Sequence, residues 1–167
     1  MTMDIAMSTV IEHSSSMLSS LPQTAMTRSV FSHDLIASYL NTDYQINIHN
    51  ELICLRINHY SQPLAHLLKA TQQPSGAIIS AYNPQSKLQN DRNNTRAHQL
   101  LQHDLCNLGY AIIESLHKDS VEQWPIEKGF LAIGLNLNDA RSIGRRFNQN
   151  AIVWINSDAI PRLILLN

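Results

Sequence analysis

The chain has 167 residues, 44% hydrophobic and 15% charged, with a formal net charge of -1. That length and apolar content suffice for one domain with a buried core and exclude wholesale disorder. The near-neutral charge excludes a general electrostatic pull toward nucleic acid or membrane, and no apolar run approaches the ~18 residues of a bilayer span.

Residues 1–28 hold all five methionines and a serine cluster, Ser14, Ser15, Ser16, Ser19 and Ser20. Serine is a mediocre helix former, and Pro22 ends any helix begun before it. The expectation is either a mobile tail or a short helix that docks on the domain or on a protein partner. No positive charge precedes Arg28 and no apolar h-region is present, so a secretory signal is not expected and a cytoplasmic setting is. Cys54 and Cys106 lack paired spacing and read as buried free thiols.

From Ser29 the periodicity sharpens into a single domain over 29–167. Ser32 caps a helix carrying Leu35, Ile36, Tyr39 and Leu40. Segments 44–48 and 52–57 form a hairpin about His49-Asn50. Ser61 and Pro63 start a short helix that Pro74-Ser75-Gly76 terminates, and Ala77 to Tyr82 reads as a buried central strand. A helix from about Asp91 to Leu108 follows, with Gly109 at its C-cap. Tyr110 to Ser115 is a strand, 117–128 a polar loop, and 130–135 another strand. Asn136 or Asn138 caps a helix through Phe147, and 151–155 and 161–166 supply the last two strands. The expected fold is α/β (α+β): a mixed β-sheet of about six to seven strands packed by three to four helices. Parallel pairs are expected across the helices at 91–108 and 137–148, and antiparallel pairs at 44–57 and 150–166.

Three polar seams interrupt this pattern. Asn83-Pro84 ends the central strand, where ligands sit in α/β sheets, with Ser86 close behind. Asn94 and Arg96 lie in the first turns of the long helix, where a guanidinium can grip a phosphate or carboxylate. Arg141, Arg145 and Arg146 close the next helix, followed by Gln149 and Asn150. Each seam has a plain structural reading as well: a self-satisfied turn, a surface ion pair, or helix capping. His98 and His103 are five apart and lack a carboxylate or Cys at ligand spacing, so no metal is expected. There is no GxSxG, P-loop or GxGxxG, hence no expected cofactor. Glu127 is the only obvious acid/base candidate, and the sequence assigns no catalytic residue.

The order of these motifs resembles an uncharacterised bacterial family, catalogued as domain of unknown function 3293. The likeness is carried by Ala81-Tyr82-Asn83-Pro84, Asn94 and Arg96, Trp124-Pro125, Glu127, and the run from Gly144 to Trp154. The resemblance implies one α/β domain and brings no activity with it. Its signature polar residues fall on Asn83, Ser86, Asn94, Arg96, Glu127, Arg146, Gln149 and Asn150. The chain departs from the pattern over 116–124, where similar members often carry a Gly-rich segment.

Three functions follow as expectations. The first is a pocket of those eight residues, binding a small phosphate- or carboxylate-bearing ligand. The second is an interaction module acting through a surface or residues 1–28. The third, the least expected, is nucleic-acid binding through Arg92, Arg96, Arg141, Arg145 and Arg146. The pocket reading requires the end of strand 77–82, the start of helix 91–108 and the end of helix 137–148 to meet.

Overall fold

Side-chain caps set where the helices begin in the computed structural model, which describes residues 31–166. Ser32 accepts from the Leu35 amide to open α1 (His33–Leu40), and Ser61 accepts from Leu64 to open α2 (Gln62–Thr71), with a proline in its first turn. Asn90 and Asn136 do the same for α3 (Asp91–Asn107) and α4 (Leu137–Arg146). Each cap satisfies an amide that the helix itself leaves unpaired, worth about 1 kcal/mol.

Strands β1 (Thr42–Ile48), β2 (Glu51–Leu55), β3 (Gly76–Ser80), β4 (Ala111–Asp119), β5 (Glu127–Ile133), β6 (Ala151–Ile155) and β7 (Pro161–Leu165) form one sheet in the order β2-β1-β4-β5-β3-β6-β7. The β1/β2 hairpin turns at His49 and Asn50, both at positive φ (51° and 66°), as a two-residue hairpin loop demands. β6 and β7 form the second expected hairpin.

The expected parallel pairs do not occur: every pairing in the sheet is antiparallel. The reason is an inserted strand at each crossover. α3 joins β3 to β4, which run the same way but have β5 between them. α4 joins β5 to β6, with β3 between them. The centre of the fold is thus two interleaved split β-α-β units, β4-β5-β3-β6, to which β1/β2 and β7 add the edges.

The sheet is covered on both faces. On one, Leu101 and Leu105 of α3 and Ala140 and Ile143 of α4 pack against Ala77, Ile79, Phe130 and Ile152. On the other, Leu64 and Leu68 of α2 pack against Ile46, Ile78, Leu131 and Val153.

Two further expectations are corrected. The strand after α3 continues past Ser115 to Asp119 and its partner starts at Glu127, so the loop expected over 117–128 shrinks to 120–126. Cys54 and Cys106 are free thiols but exposed, not buried. The tail expected over 1–28 lies outside the described residues, and no described helix is long and apolar enough to cross a membrane.

Candidate functional site

Strand alternation carries a polar row across the α2-side face of the sheet. Tyr44 of β1 stands opposite His117 of β4, and His117 stands opposite Glu127 of β5. One pair further along, Thr42 faces Asp119. The apolar core fills the same face toward the other end of these strands, and α1 lies over the polar end. Between α1 and the row is a cavity of about 100 Å³, lined from α1 by Leu35, Ser38 and Tyr39 and floored by Ile78, Ser80, Ala151 and Val153.

The three polar seams meet at the rim of this cavity. Asn83 donates its backbone N–H to Asn94 Oδ1 at 2.9 Å, and Asn94 Nδ2 donates back to Asn83 Oδ1 at 3.0 Å. This exchange ties the end of β3 to the first turn of α3. Gln149 Nε2, just past α4, donates to the Tyr82 carbonyl at 3.1 Å, and the Gln85 amide donates to the Asn148 carbonyl at 2.8 Å. Asn150 Nδ2 donates to Ser86 Oγ at 2.9 Å, and Tyr39 Oη of α1 lies 3.2 Å from the same hydroxyl.

The segment so held is strained. Asn83, Gln85 and Ser86 all take left-handed φ values of 43°, 56° and 54° without being glycine, each costing on the order of 1 kcal/mol. The surrounding hydrogen bonds impose that conformation.

Glu127 is the group these bonds present. Its Oε1 accepts from Asn83 Nδ2 and from Trp124 Nε1, both at 2.8 Å. No described residue donates to Oε2, and the side chain lines the cavity. Burial raises its pKa, against the two hydrogen bonds that lower it. Trp124 is fixed in turn by Asp119, whose carboxylate accepts the amides of Val121, Gln123 and Trp124 at 3.1–3.2 Å. That short loop is a collar for the indole.

His117 completes the row. Its Nε2 lies 3.0 Å from Ser115 Oγ, and its ring meets Tyr44 edge-on with centroids 4.9 Å apart. A Cβ at Gly129 would lie 2.7 Å from His117 Nε2 and 2.6 Å from the Ile79 carbonyl oxygen, so the ring occupies space that only glycine leaves open. Burial, with a smaller repulsion from His98, lowers the His117 pKa to about 4. The imidazole is neutral near pH 7.

Of the eight expected site residues, Asn83, Ser86, Glu127 and Gln149 line the cavity, and Asn94 and Asn150 hold the first two in place. The two arginines do not join them. Arg96 is exposed on α3. Arg146 pairs with Asp104 at 3.2 Å between α4 and α3, on the opposite face of the sheet. No Lys or Arg lines the cavity among the described residues. The structure therefore does not bring these arginines to the cavity where their grip on a phosphate or carboxylate was expected, and Arg146 already has an acidic partner.

Reasoning from sequence missed Tyr39, Tyr44, His117, Asp119 and Trp124. The signal was present in β4, where Ser115, His117 and Asp119 alternate at strand spacing. Ending the strand at Ser115 hid it.

Residues 79–152 match the model of a family described as Protein of unknown function (DUF3293), which bears out the resemblance over the segment running from β3 to β6. No curated protein and no solved structure matches the chain.

Proposed function

We propose that the protein is a binding domain for a small polar molecule, held between α1 and the sheet with Glu127 as its principal acceptor. The observation that supports this is the arrangement of the Glu127 carboxylate. One oxygen is saturated by two neutral donors that fix its direction, while the other has no described partner and the side chain lines a cavity. Holding a carboxyl group away from water is costly without compensation, and strained backbone at the rim is the pattern of a site. Tyr39, Ser80, Ser86 and Gln149 surround it with groups able to donate or accept. A reducing, cytoplasmic setting fits the two free, exposed thiols.

A thermal-shift screen tests the reading, using amines, polyols, nucleobases, amino acids and phosphorylated metabolites. A ligand at 100 times its Kd adds about 2.7 kcal/mol of stability. Stabilising hits are expected among compounds without phosphate and should vanish in Ala151→Leu, which fills the cavity floor without touching the Glu127 network. Hits that persist in the filled variant, with its fold intact by circular dichroism, would place the binding site elsewhere and end the proposal.

A further inference from the structure

We infer that the ligand of this pocket carries a compact organic cation, an alkylammonium head group seated between Glu127 Oε2 and the rings of Trp124, Tyr39 and Tyr44. The inference rests on the pocket reading above and adds the charge and shape of what the pocket takes.

Charge is the first argument. Glu127 is half-buried beside the cavity, yet both of its partners are neutral, a side-chain amide and an indole. A buried carboxylate ordinarily sits against a cation, and no described Lys or Arg lines the cavity. His117 does not fill the role, because burial keeps its ring neutral near pH 7. The second carboxylate, Asp119, spends its oxygens on three backbone amides. It contributes negative field without offering a second grip. An anionic ligand would meet two carboxylates and no counter-charge.

Shape and surface are the second argument. Trp124, Tyr39 and Tyr44 all line the cavity, and aromatic faces attract ammonium groups by about 0.5–1 kcal/mol when exposed and about 2 when desolvated. The Trp124 indole is already fixed beside the carboxylate by its 2.8 Å bond, so ring and anion act on one position. A cavity of roughly 150 Å³ holds a benzene ring, so about 100 Å³ suits a head group of a few heavy atoms.

The test uses the full chain, with the Trp124 indole N–H as the local reporter in an amide-nitrogen correlation spectrum. The chain has two tryptophans, and Trp154→Phe assigns the signal. Methylammonium and tetramethylammonium are titrated against tert-butanol as a neutral shape analogue and acetate as an anion. Saturable movement of the Trp124 signal is expected with the cations, at least tenfold tighter than with tert-butanol. It should weaken at least tenfold in Glu127→Gln, whose remaining spectrum reports that the fold is kept. Equal binding of tert-butanol, or binding unaffected by Glu127→Gln, overturns the cation while leaving the pocket reading intact, as does a response to acetate alone. If no probe moves the signal the cation inference also falls, and the broader screen with Ala151→Leu then decides the pocket separately.

Discussion

At the scale of single residues, Glu127 trades stability for a directed acceptor. Its pKa is raised in the folded protein because burial disfavours the charged form more than Asn83 and Trp124 favour it. The folded state therefore holds this proton more tightly than the unfolded chain does. Stability from this group is fully present below the ordinary carboxyl range and is lost as pH rises through the raised value. Glutamine retains an Oε1 that accepts from both donors and carries no charge. Glu127→Gln should accordingly melt higher than the native protein at pH 7, by on the order of 1 kcal/mol. The gap should close as pH is lowered through the carboxyl titration. Melting temperatures of both proteins across pH 4 to pH 8, roughly the span over which a perturbed carboxyl titrates, measure it. A variant that is less stable at neutral pH would mean that the charge is compensated in the folded state after all. His117 works in the opposite sense. Its lowered pKa gives stability that is present above the ordinary imidazole value and is lost as pH falls toward about 4. The two groups have to be separated by the variant and not by the native pH curve alone.

At the scale of elements, the β4/β5 pair builds the site, and Gly129 is where it is tightest. Ser115 and Gly129 are register partners, and the His117 ring leans across the space above the glycine. A methyl group there meets a carbonyl oxygen of β3 as well as the ring, so neither a side-chain rotation nor a small strand shift relieves both contacts. Gly129→Ala should cost about 1–3 kcal/mol, as overpacking does, and should break the His117–Ser115 contact. Chemical denaturation reads the first, and the His117 imidazole signals read the second. A neutral effect would show that β5 can slide away from β3.

The same pair explains what the sequence did and did not disclose. Caps and hydrophobic periodicity were enough to place α1, α2, α3 and α4, because Ser32, Ser61 and Asn136 announce helix starts, and Gly109 the end of α3, in local chemistry. Pairing partners are not local. Strands joined by a helix look parallel and adjacent in sequence, and nothing in residues 76–133 states that β5 returns to lie between β3 and β4. His117-Lys118-Asp119 reads as a loop by composition, and only its alternation with Ser115 marks a strand whose polar side faces a cavity. The seams were readable because Asn83, Gln149 and Asn150 stand between elements and Asn94 stands in the first turn of one. The arginines misled because a helix's outer face and its inner end share the same sequence neighbourhood, and Asp104, which holds Arg146 outward, is 42 residues away (146 − 104).

At the scale of the whole molecule, interleaving makes the fold indivisible. The family match covers 79–152, which contains α3, β4, β5 and α4 entire but only Ile79 and Ser80 of β3 and only Ala151 and Ile152 of β6. β3 lies between β5 and β6, and its pairing with β6 runs through Gly76, Ala77 and Ile78, all outside that segment. The segment also lacks α2, whose Leu64 and Leu68 cover the face opposite α3 and α4, and β1, whose Tyr44 and Ile46 share that core with Leu131 and Ile133. Uncovering a large aliphatic side chain forfeits about 1.5–3 kcal/mol, and a whole domain is stable by only about 5–15 kcal/mol. The loss of one face of the core therefore exceeds what the remaining helices can hold. Residues 79–152 expressed alone should show no cooperative thermal transition by circular dichroism and poor amide dispersion, while the full chain melts as a unit. A cooperative melt of the fragment would show that the interleaved strands fold without the edge hairpins. In that case α1, and with it the roof of the cavity, would be an accessory laid on a self-sufficient sheet, not a part of one core.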